Sequence, residues 1–157
     1  MNLVGEFPCV IDSKGRFLLP AGLKRQLADT EAMHFVINRG FEQCLNLYPS
    51  TEWKKISDEV NQLNIYVRKN REFVRYFYRG ATEVFPDSAS RLLIPRPLQD
   101  YAGISKNVIL FAYANRIELW DQQRYEGLLG KEPDNFAVLA EEVMSRKDGT
   151  NDAEPLP

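Results

Sequence analysis

Residues 12–20, Asp-Ser-Lys-Gly-Arg-Phe-Leu-Leu-Pro, and residues 87–95, Asp-Ser-Ala-Ser-Arg-Leu-Leu-Ile-Pro, are two versions of one motif. Their aspartate, serine, arginine and proline coincide at an offset of 75 residues. Further along, residues 45–48, Leu-Asn-Leu-Tyr, match residues 117–120, Ile-Glu-Leu-Trp, at an offset of 72. Two matching blocks at nearly the same offset indicate a tandem duplication.

Each copy predicts the same order of local structure. A strand (residues 4–11 or 77–85) leads through a tight turn to a second strand, which ends at Pro20 or Pro95. Aspartate favours such a turn because its carboxylate accepts hydrogen bonds from nearby amides, and Gly15 suits a residue with positive φ. A short helix and two strands follow, and a closing helix is expected with Ser50 or Asp121 as its N-cap.

One copy of about fifty residues is too small to bury much of its own surface. Its open strand edges would pair readily with the other copy. We therefore expect the two copies to interleave into one β-rich α+β body, shaped like a barrel and surrounded by short helices. The predicted boundaries are 1–57 for the first repeat, 58–76 for a helical linker, 77–130 for the second repeat and 131–157 for a C-terminal helix with an acidic, disordered tail.

The charge distribution neither requires nor excludes a nucleic-acid partner. The net charge is −2, but residues 1–80 carry 12 Lys+Arg against 9 Asp+Glu, and residues 81–157 carry 8 against 13. Cations clustered on one face would suffice for DNA binding. No transmembrane span or secretory signal is expected, and Cys9 and Cys44 are predicted to be thiols of a reducing compartment.

Catalysis finds little support in the sequence. The chain has one histidine, His34, which lies between apolar residues and is predicted to be structural. No nucleophile elbow, phosphate-binding glycine loop or set of residues with metal-ligand spacing is present. We therefore expect no enzymatic activity, no cofactor and no metal, and the sequence identifies no small-molecule ligand.

The duplicated loop motif, together with the Leu-Tyr-Pro segment 47–49 and the Glu-Leu-Trp-Asp segment 118–121, resembles the MraZ family over about residues 1–145. The resemblance implies two AbrB-like swapped-hairpin halves in one pseudo-symmetric barrel, and ring-shaped homo-oligomers. It also implies a cytoplasmic, nucleoid-associated repressor that binds double-stranded promoter DNA. Its target would be repeated boxes at the promoter of a division and cell-wall operon that contains its own gene.

The first loop holds the strongest candidates for DNA contact. Lys14 and Arg16 flank Gly15, and an arginine fork matches phosphate or the O6/N7 edge of guanine. From the residues alone, a solvated turn in which Arg16 merely pairs with Asp12 is the favoured interpretation. The resemblance favours DNA contact. Asp12, Gly15 and Asp87 are expected to shape the turns.

Three further cations are candidates. Lys24 and Arg25 follow the first loop and are expected to reach phosphates or to form a solvated helix face. Arg91 belongs to the second loop, where Ala89 and Ser90 replace the lysine and glycine. With one cation fewer and no glycine, that loop is expected to contribute less, with Arg91 secondary or structural.

Two other functions remain open on these residues. The protein could be a nucleoid-type DNA binder with little sequence choice, which competition by unrelated DNA would reveal. It could instead be an oligomeric scaffold that binds protein through its acidic tail, which a band shift with upstream DNA would exclude.

Overall fold

The computed structural model describes residues 1–28, 34–130 and 133–149, without the side chains of residues 146–149. The chain divides into two compact units, residues 1–124 and 125–157. In chain order the elements are β1 (Leu3–Val10), β2 (Arg16–Leu18), α1 (Ala21–Leu27), β3 (Phe35–Arg39), β4 (Leu45–Pro49), α2 (Ser50–Asn61), α3 (Arg68–Tyr78), β5 (Thr82–Val84), β6 (Arg91–Leu93), α4 (Arg96–Ala102), β7 (Asn107–Ala114), β8 (Arg116–Asp121), α5 (Gln122–Leu129) and α6 (Phe136–Gly149).

The strands of the two repeats pair with one another. Six strands form one antiparallel sheet in the order β1-β7-β8-β4-β3-β5, and β2 pairs with β6 in a separate two-stranded ribbon. Every strand of the first repeat therefore has a partner in the second: β1 with β7, β2 with β6, β3 with β5 and β4 with β8. This exchange gives each small repeat the partner edge that it lacks alone.

The register of the pairing is pseudo-symmetric. Phe17 lies opposite Leu92 in the ribbon, and these residues occupy equivalent positions of the two motifs. Asn46 lies opposite Glu118 in the sheet, again at equivalent positions. Both pairs are consistent with one approximate two-fold axis between the repeats. The two motif loops are therefore equivalent in space as well as in sequence.

One hydrophobic core anchors the ribbon. Phe17 and Leu92 are almost fully buried, and so are Leu23 of α1 and Leu98 of α4. Full burial of such a side chain stabilises the fold by about 1.5–3 kcal/mol. Because alternate residues of a strand point to opposite faces, burying the middle residue of each ribbon strand turns its neighbours outward.

Several local expectations need correction. Among the described residues the sheet is open, with β1 and β5 at its edges, so the expected barrel does not appear as a closed sheet. The strand expected over residues 77–85 shrinks to β5, because α3 continues through Tyr78. Ser50 is the first helical residue and Pro49 the N-cap, without a side-chain hydrogen bond. Asp121 ends β8.

The carboxyl-terminal region is described only in part. Within the second unit, α6 exposes several apolar side chains, among them Phe136 and Val143. The predicted acidic tail lies from residue 150 onward outside the described residues. No helix in the described part of the chain has the length and apolar character needed to cross a membrane.

Candidate nucleic-acid interface

A single carboxylate organises the first loop. Oδ1 of Asp12 accepts the backbone N–H groups of Lys14 and Arg16, each at 2.9 Å. The turn closes because the Gly15 N–H donates to the Asp12 carbonyl at 3.0 Å. The N–H of Arg16 is the main reason why the pKa of the Asp12 carboxyl lies below its usual value. The carboxylate therefore stays ionised, and the turn stays formed, throughout the neutral range.

The same carboxylate orients the arginine. Nε of Arg16 donates to Oδ2 of Asp12 at 2.9 Å, and the arginine side chain is 25% exposed. The interpretation of this loop as a solvated turn predicted this pairing of Arg16 with Asp12. Among the described residues, the side-chain hydrogen bond of Arg16 is made by Nε, and neither Nη atom takes part in it. An arginine held by Nε still presents its outer N–H groups to an external acceptor.

The second loop repeats this geometry. Asp87 accepts the N–H groups of Ala89 and Arg91 at 2.9 Å, and Nε of Arg91 donates to it at 2.8 Å. The N–H of Arg91 is again the main cause of a lowered pKa, here at the Asp87 carboxyl. Ser90 takes a left-handed φ of 64°, where the first loop has Gly15 at 86°. The loop keeps its shape at a conformational cost of about 1 kcal/mol.

Ribbon pairing brings both arginines to one surface. Arg16 lies opposite Leu93, and Arg91 lies opposite Leu18. These four residues alternate with the buried pair of the ribbon and so share its outer side, which we name the ribbon face. The two leucines are 58% and 52% exposed, although they are large and apolar. The ribbon face thus presents two arginine–leucine pairs related by the two-fold symmetry.

Each loop is tied to the other repeat. The carbonyl of Gly15 accepts the N–H of Ile94 at 2.9 Å, and the carbonyl of Ser90 accepts the N–H of Leu19 at 3.0 Å. Both loops are therefore held against the end of the partner strand in the ribbon. Such two-sided hydrogen bonding fixes the arginines relative to each other, as a recognition surface requires.

Lys24 lies at the second loop. Its Nζ donates to Oγ of Ser90 at 3.0 Å, so this lysine of the first repeat contacts the loop of the second repeat. At the equivalent position of the second repeat stands Gln99, whose side chain packs beside Gly15 and donates to the Ile94 carbonyl at 2.8 Å. The exchange of strands thus supplies the second loop with the cation that its own sequence lacks. Only knowledge of the swapped pairing could have revealed this.

The remaining cations near the loops differ in their contacts. Arg25 lies in the last turn of α1 with an exposed side chain, and the structure records no contact between it and either loop. Nε of Arg96 on α4 pairs with Oδ1 of Asp100 at 3.3 Å. The predicted residues Lys14, Arg16, Arg91 and Lys24 therefore gather around the ribbon, whereas Arg25 stands beside the group without a recorded contact to it.

The histidine and the buried cysteine lie in surroundings typical of structural residues. The His34 ring stacks on Phe85 with ring centroids 4.7 Å apart, and its Nε2 lies 3.8 Å from a Glu83 oxygen. Burial raises the pKa of the Cys44 thiol to about 12, so it stays protonated at neutral pH. The part of the chain that the structure describes contains no group of three or more His, Cys, Asp or Glu side chains placed to hold a metal ion.

Comparison with known proteins agrees with the duplication. Residues 3–76 and 77–147 each match the family model described as "MraZ protein, putative antitoxin-like". A protein of Christiangramia forsetii named "Transcriptional regulator MraZ" is 44% identical over 149 residues, covering 94% of this chain and 96% of the relative. Proteins with the same name from Flavobacterium psychrophilum and Natranaerobius thermophilus are 42% and 35% identical, covering 91% and 90% of this chain and 92% and 96% of the relatives.

Proposed function

This chain belongs to the MraZ family, and we propose that it is a sequence-specific DNA-binding regulator of transcription whose ribbon face enters the major groove. The observation that carries the proposal is the pair of arginines, Arg16 and Arg91, on one exposed side of a two-stranded ribbon. A ribbon of this kind fits the major groove, where arginine recognises the O6 and N7 atoms of guanine.

The leucines of the ribbon face have a role in this proposal. Leu18 and Leu93 are exposed beside the arginines, and an apolar side chain in the major groove contacts the C5-methyl group of thymine. The two-fold relation of the arginine–leucine pairs favours a site in which two short base sequences are inverted relative to each other. Symmetry of the protein is commonly mirrored in the symmetry of its DNA site.

Three lysine and arginine side chains would position the protein on the duplex. Lys14, Lys24 and Arg25 are exposed cations suited to phosphate contacts. Such contacts release counterions, so affinity falls as the salt concentration rises, and they carry no direct information about base sequence. Asp12, Gly15 and Asp87 would act indirectly by holding the loops in shape.

A ring-shaped homo-oligomer of AbrB-like halves is part of the proposal. Several ribbon faces on one assembly would bind repeated boxes with high avidity, because each later contact is effectively intramolecular. Repression would follow from occupation of the promoter. The proposed target is the protein's own division and cell-wall operon, and the proposed location is the nucleoid. Light scattering checks the assembly: a species of only 18.1 kDa at micromolar concentration would contradict it.

Binding to the DNA upstream of the protein's own gene tests the proposal. Fluorescence anisotropy at about 150 mM salt should give a complex that survives an excess of unrelated duplex, because specific sites bind about 10³–10⁷-fold more tightly than random DNA. Equal competition by unrelated duplex would identify a nucleoid-type binder. An absence of binding to either duplex would favour a protein-binding scaffold.

A further inference from the structure

A cavity of about 230 Å³ lies within the first unit, between the β3–β4 turn, α3 and the side chain of Tyr101 on α4. It shares no residue with the ribbon face. Six of its lining residues determine its chemistry: Asn38, Arg39, Tyr48, Phe73, Tyr76 and Arg116. The volume is below the range typical of pockets for drug-sized molecules, so a ligand would be a single substituted ring.

The charge of the lining favours an anion. Arg39 lies over the ring of Tyr101 at 4.5 Å, and Arg116 lies over the ring of Tyr48 at 5.2 Å. Among the residues that the structure describes, the lining contains no carboxylate to neutralise these guanidinium groups. Glu118 lies two residues from Arg116 on β8, opposite Asn46, and its two oxygens accept hydrogen bonds from Tyr113 and Trp120, both at 2.9 Å.

Two buried polar atoms of the lining lack partners. Asn38 is 2% exposed, and its Nδ2 donates to the Phe77 carbonyl at 3.5 Å, which leaves Oδ1 without a donor. Nε of Arg39 is buried without an acceptor. Among the described residues only one other buried side-chain atom, Oε2 of Glu52, is without a hydrogen bond, and the Lys55 ammonium lies 3.0 Å from it. Unpaired buried groups are costly and rare, so two at one cavity require an explanation.

Aromatic rings form the remaining walls. Phe73 and Tyr76 come from α3, and Tyr48 comes from β4. Such rings pack favourably against another flat ring in offset-stacked or edge-to-face contact. Tyr76 is 66% exposed, so this side of the cavity is open to solvent and gives a ligand a way in.

We propose that this cavity binds a small aromatic carboxylate that carries an N–H donor beside its acid group. The carboxylate accepts from Nε of Arg39 and faces Arg116, the ring packs between the aromatic walls, and the ligand N–H donates to Oδ1 of Asn38. This satisfies both unpaired atoms and balances the charge of the lining. The site goes beyond the proposed function and does not depend on it.

Titration calorimetry of the full chain with 2-aminobenzoate tests this site. We expect one ligand per chain. Benzoate lacks the N–H donor and leaves Oδ1 of Asn38 unpaired, and 2-aminobenzamide lacks the negative charge that the two arginines favour. Each should therefore bind at least about tenfold more weakly. Equal affinity for all three compounds, or no binding at millimolar concentration, would overturn the proposal.

Two variants and a control locate the binding. Arg116→Gln and Tyr76→Ser should each weaken 2-aminobenzoate binding at least about fivefold, and the exposure of Tyr76 keeps that variant folded. Tyr66→Ser changes another exposed tyrosine, outside the lining, and should bind as the parent does. Unchanged affinity in both lining variants would contradict the proposal. Binding that appears only after the oligomer dissociates would also overturn it, because a second copy would then fill the cavity.

Discussion

The two motif loops of this chain adopt the same backbone from different residues. Residues 12–16 place a glycine at the left-handed position, and residues 87–91 place a serine there. Both loops have the same three hydrogen bonds to an aspartate carboxylate, with lengths that agree within 0.1 Å. The aspartate and arginine therefore determine the shape of the loop, and the left-handed position accepts a serine at a conformational cost.

The loops differ in where their second cation originates. The first loop carries Lys14 within its own sequence. The second carries Ala89 at that position but receives Lys24 from α1, whose Nζ lies 3.0 Å from Oγ of Ser90. Two reasons favour a dominant first loop in the sequence: the second loop has one cation fewer, and it lacks the glycine. The swapped pairing removes the first reason, and the second loop keeps the shape of the first with Ser90 in the left-handed position.

The largest effect is expected from Arg16→Ala. Loss of a bidentate contact to guanine costs about 1–3 kcal/mol at each subunit, and several subunits multiply the loss. The fold should persist, since only a partly exposed ion pair is removed. Anisotropy with upstream DNA measures the effect. Arg68→Ala removes an equal charge from an exposed site on α3 and should bind as the parent does.

Arg91→Ala should weaken binding to nearly the same extent as Arg16→Ala. The two arginines have equivalent partners and lie on one face, so their contacts with DNA should be comparable. Both variants are measured as the same oligomer at the same salt concentration. A loss for Arg91→Ala that is smaller by more than about tenfold would mean that the first loop dominates after all and that Arg91 mainly supports its own loop.

Lys24→Gln should have a smaller effect of a different kind. Affinity should fall about equally for specific and unrelated DNA, and the slope of log K against log salt should decrease in magnitude by about 1 per site engaged. Lys14→Gln should behave in the same way if the two lysines are counterparts. Lys54→Gln, on the exposed side of α2, is the charge-matched control. An unchanged salt slope for Lys24→Gln would remove it from the interface.

The smallest effects concern stability. Ser90→Gly should stabilise the fold by up to about 1 kcal/mol, because glycine relieves the left-handed strain, and Gly15→Ser should destabilise it by at least that amount. A Cβ at Gly15 would also collide with Nε2 of Gln99, which would have to move. Denaturant unfolding measures both. Ser90→Ala separates the backbone from the hydroxyl: a stability gain equal to that of Ser90→Gly would show that strain is not the cause.

Local sequence patterns predicted much of this arrangement. The aspartate at the start of each motif predicted a turn, and alternating apolar residues predicted most strands. The duplication, visible in residues 12–20 and 87–95, predicted that the repeats would pair with each other. The prediction that Ser50 is the N-cap of α2 was wrong by one residue. Pro49 is the N-cap, and proline is also tolerated at the start of a helix, so the sequence does not distinguish the two positions.

Contacts between distant residues were beyond the reach of those patterns. Lys24 and Ser90 are 66 residues apart, and they meet only because β2 and β6 pair between repeats. The cavity likewise combines β3, β4, α3 and β8, and its two unpaired atoms depend on side-chain positions in three dimensions. Whether the sheet closes depends on whether its edge strands, β1 and β5, pair with each other, and the composition of the strands does not determine this.

Photo-crosslinking to upstream DNA tests the role of the ribbon most directly. A photoreactive amino acid is placed singly at Lys14, at Ala89 or, as a control, at the exposed Lys54. Because the two loops lie at the ends of one ribbon, both loop positions should crosslink to the specific duplex, and the control position should not. Crosslinking at position 54 without crosslinking at positions 14 and 89 would contradict DNA contact through the ribbon face.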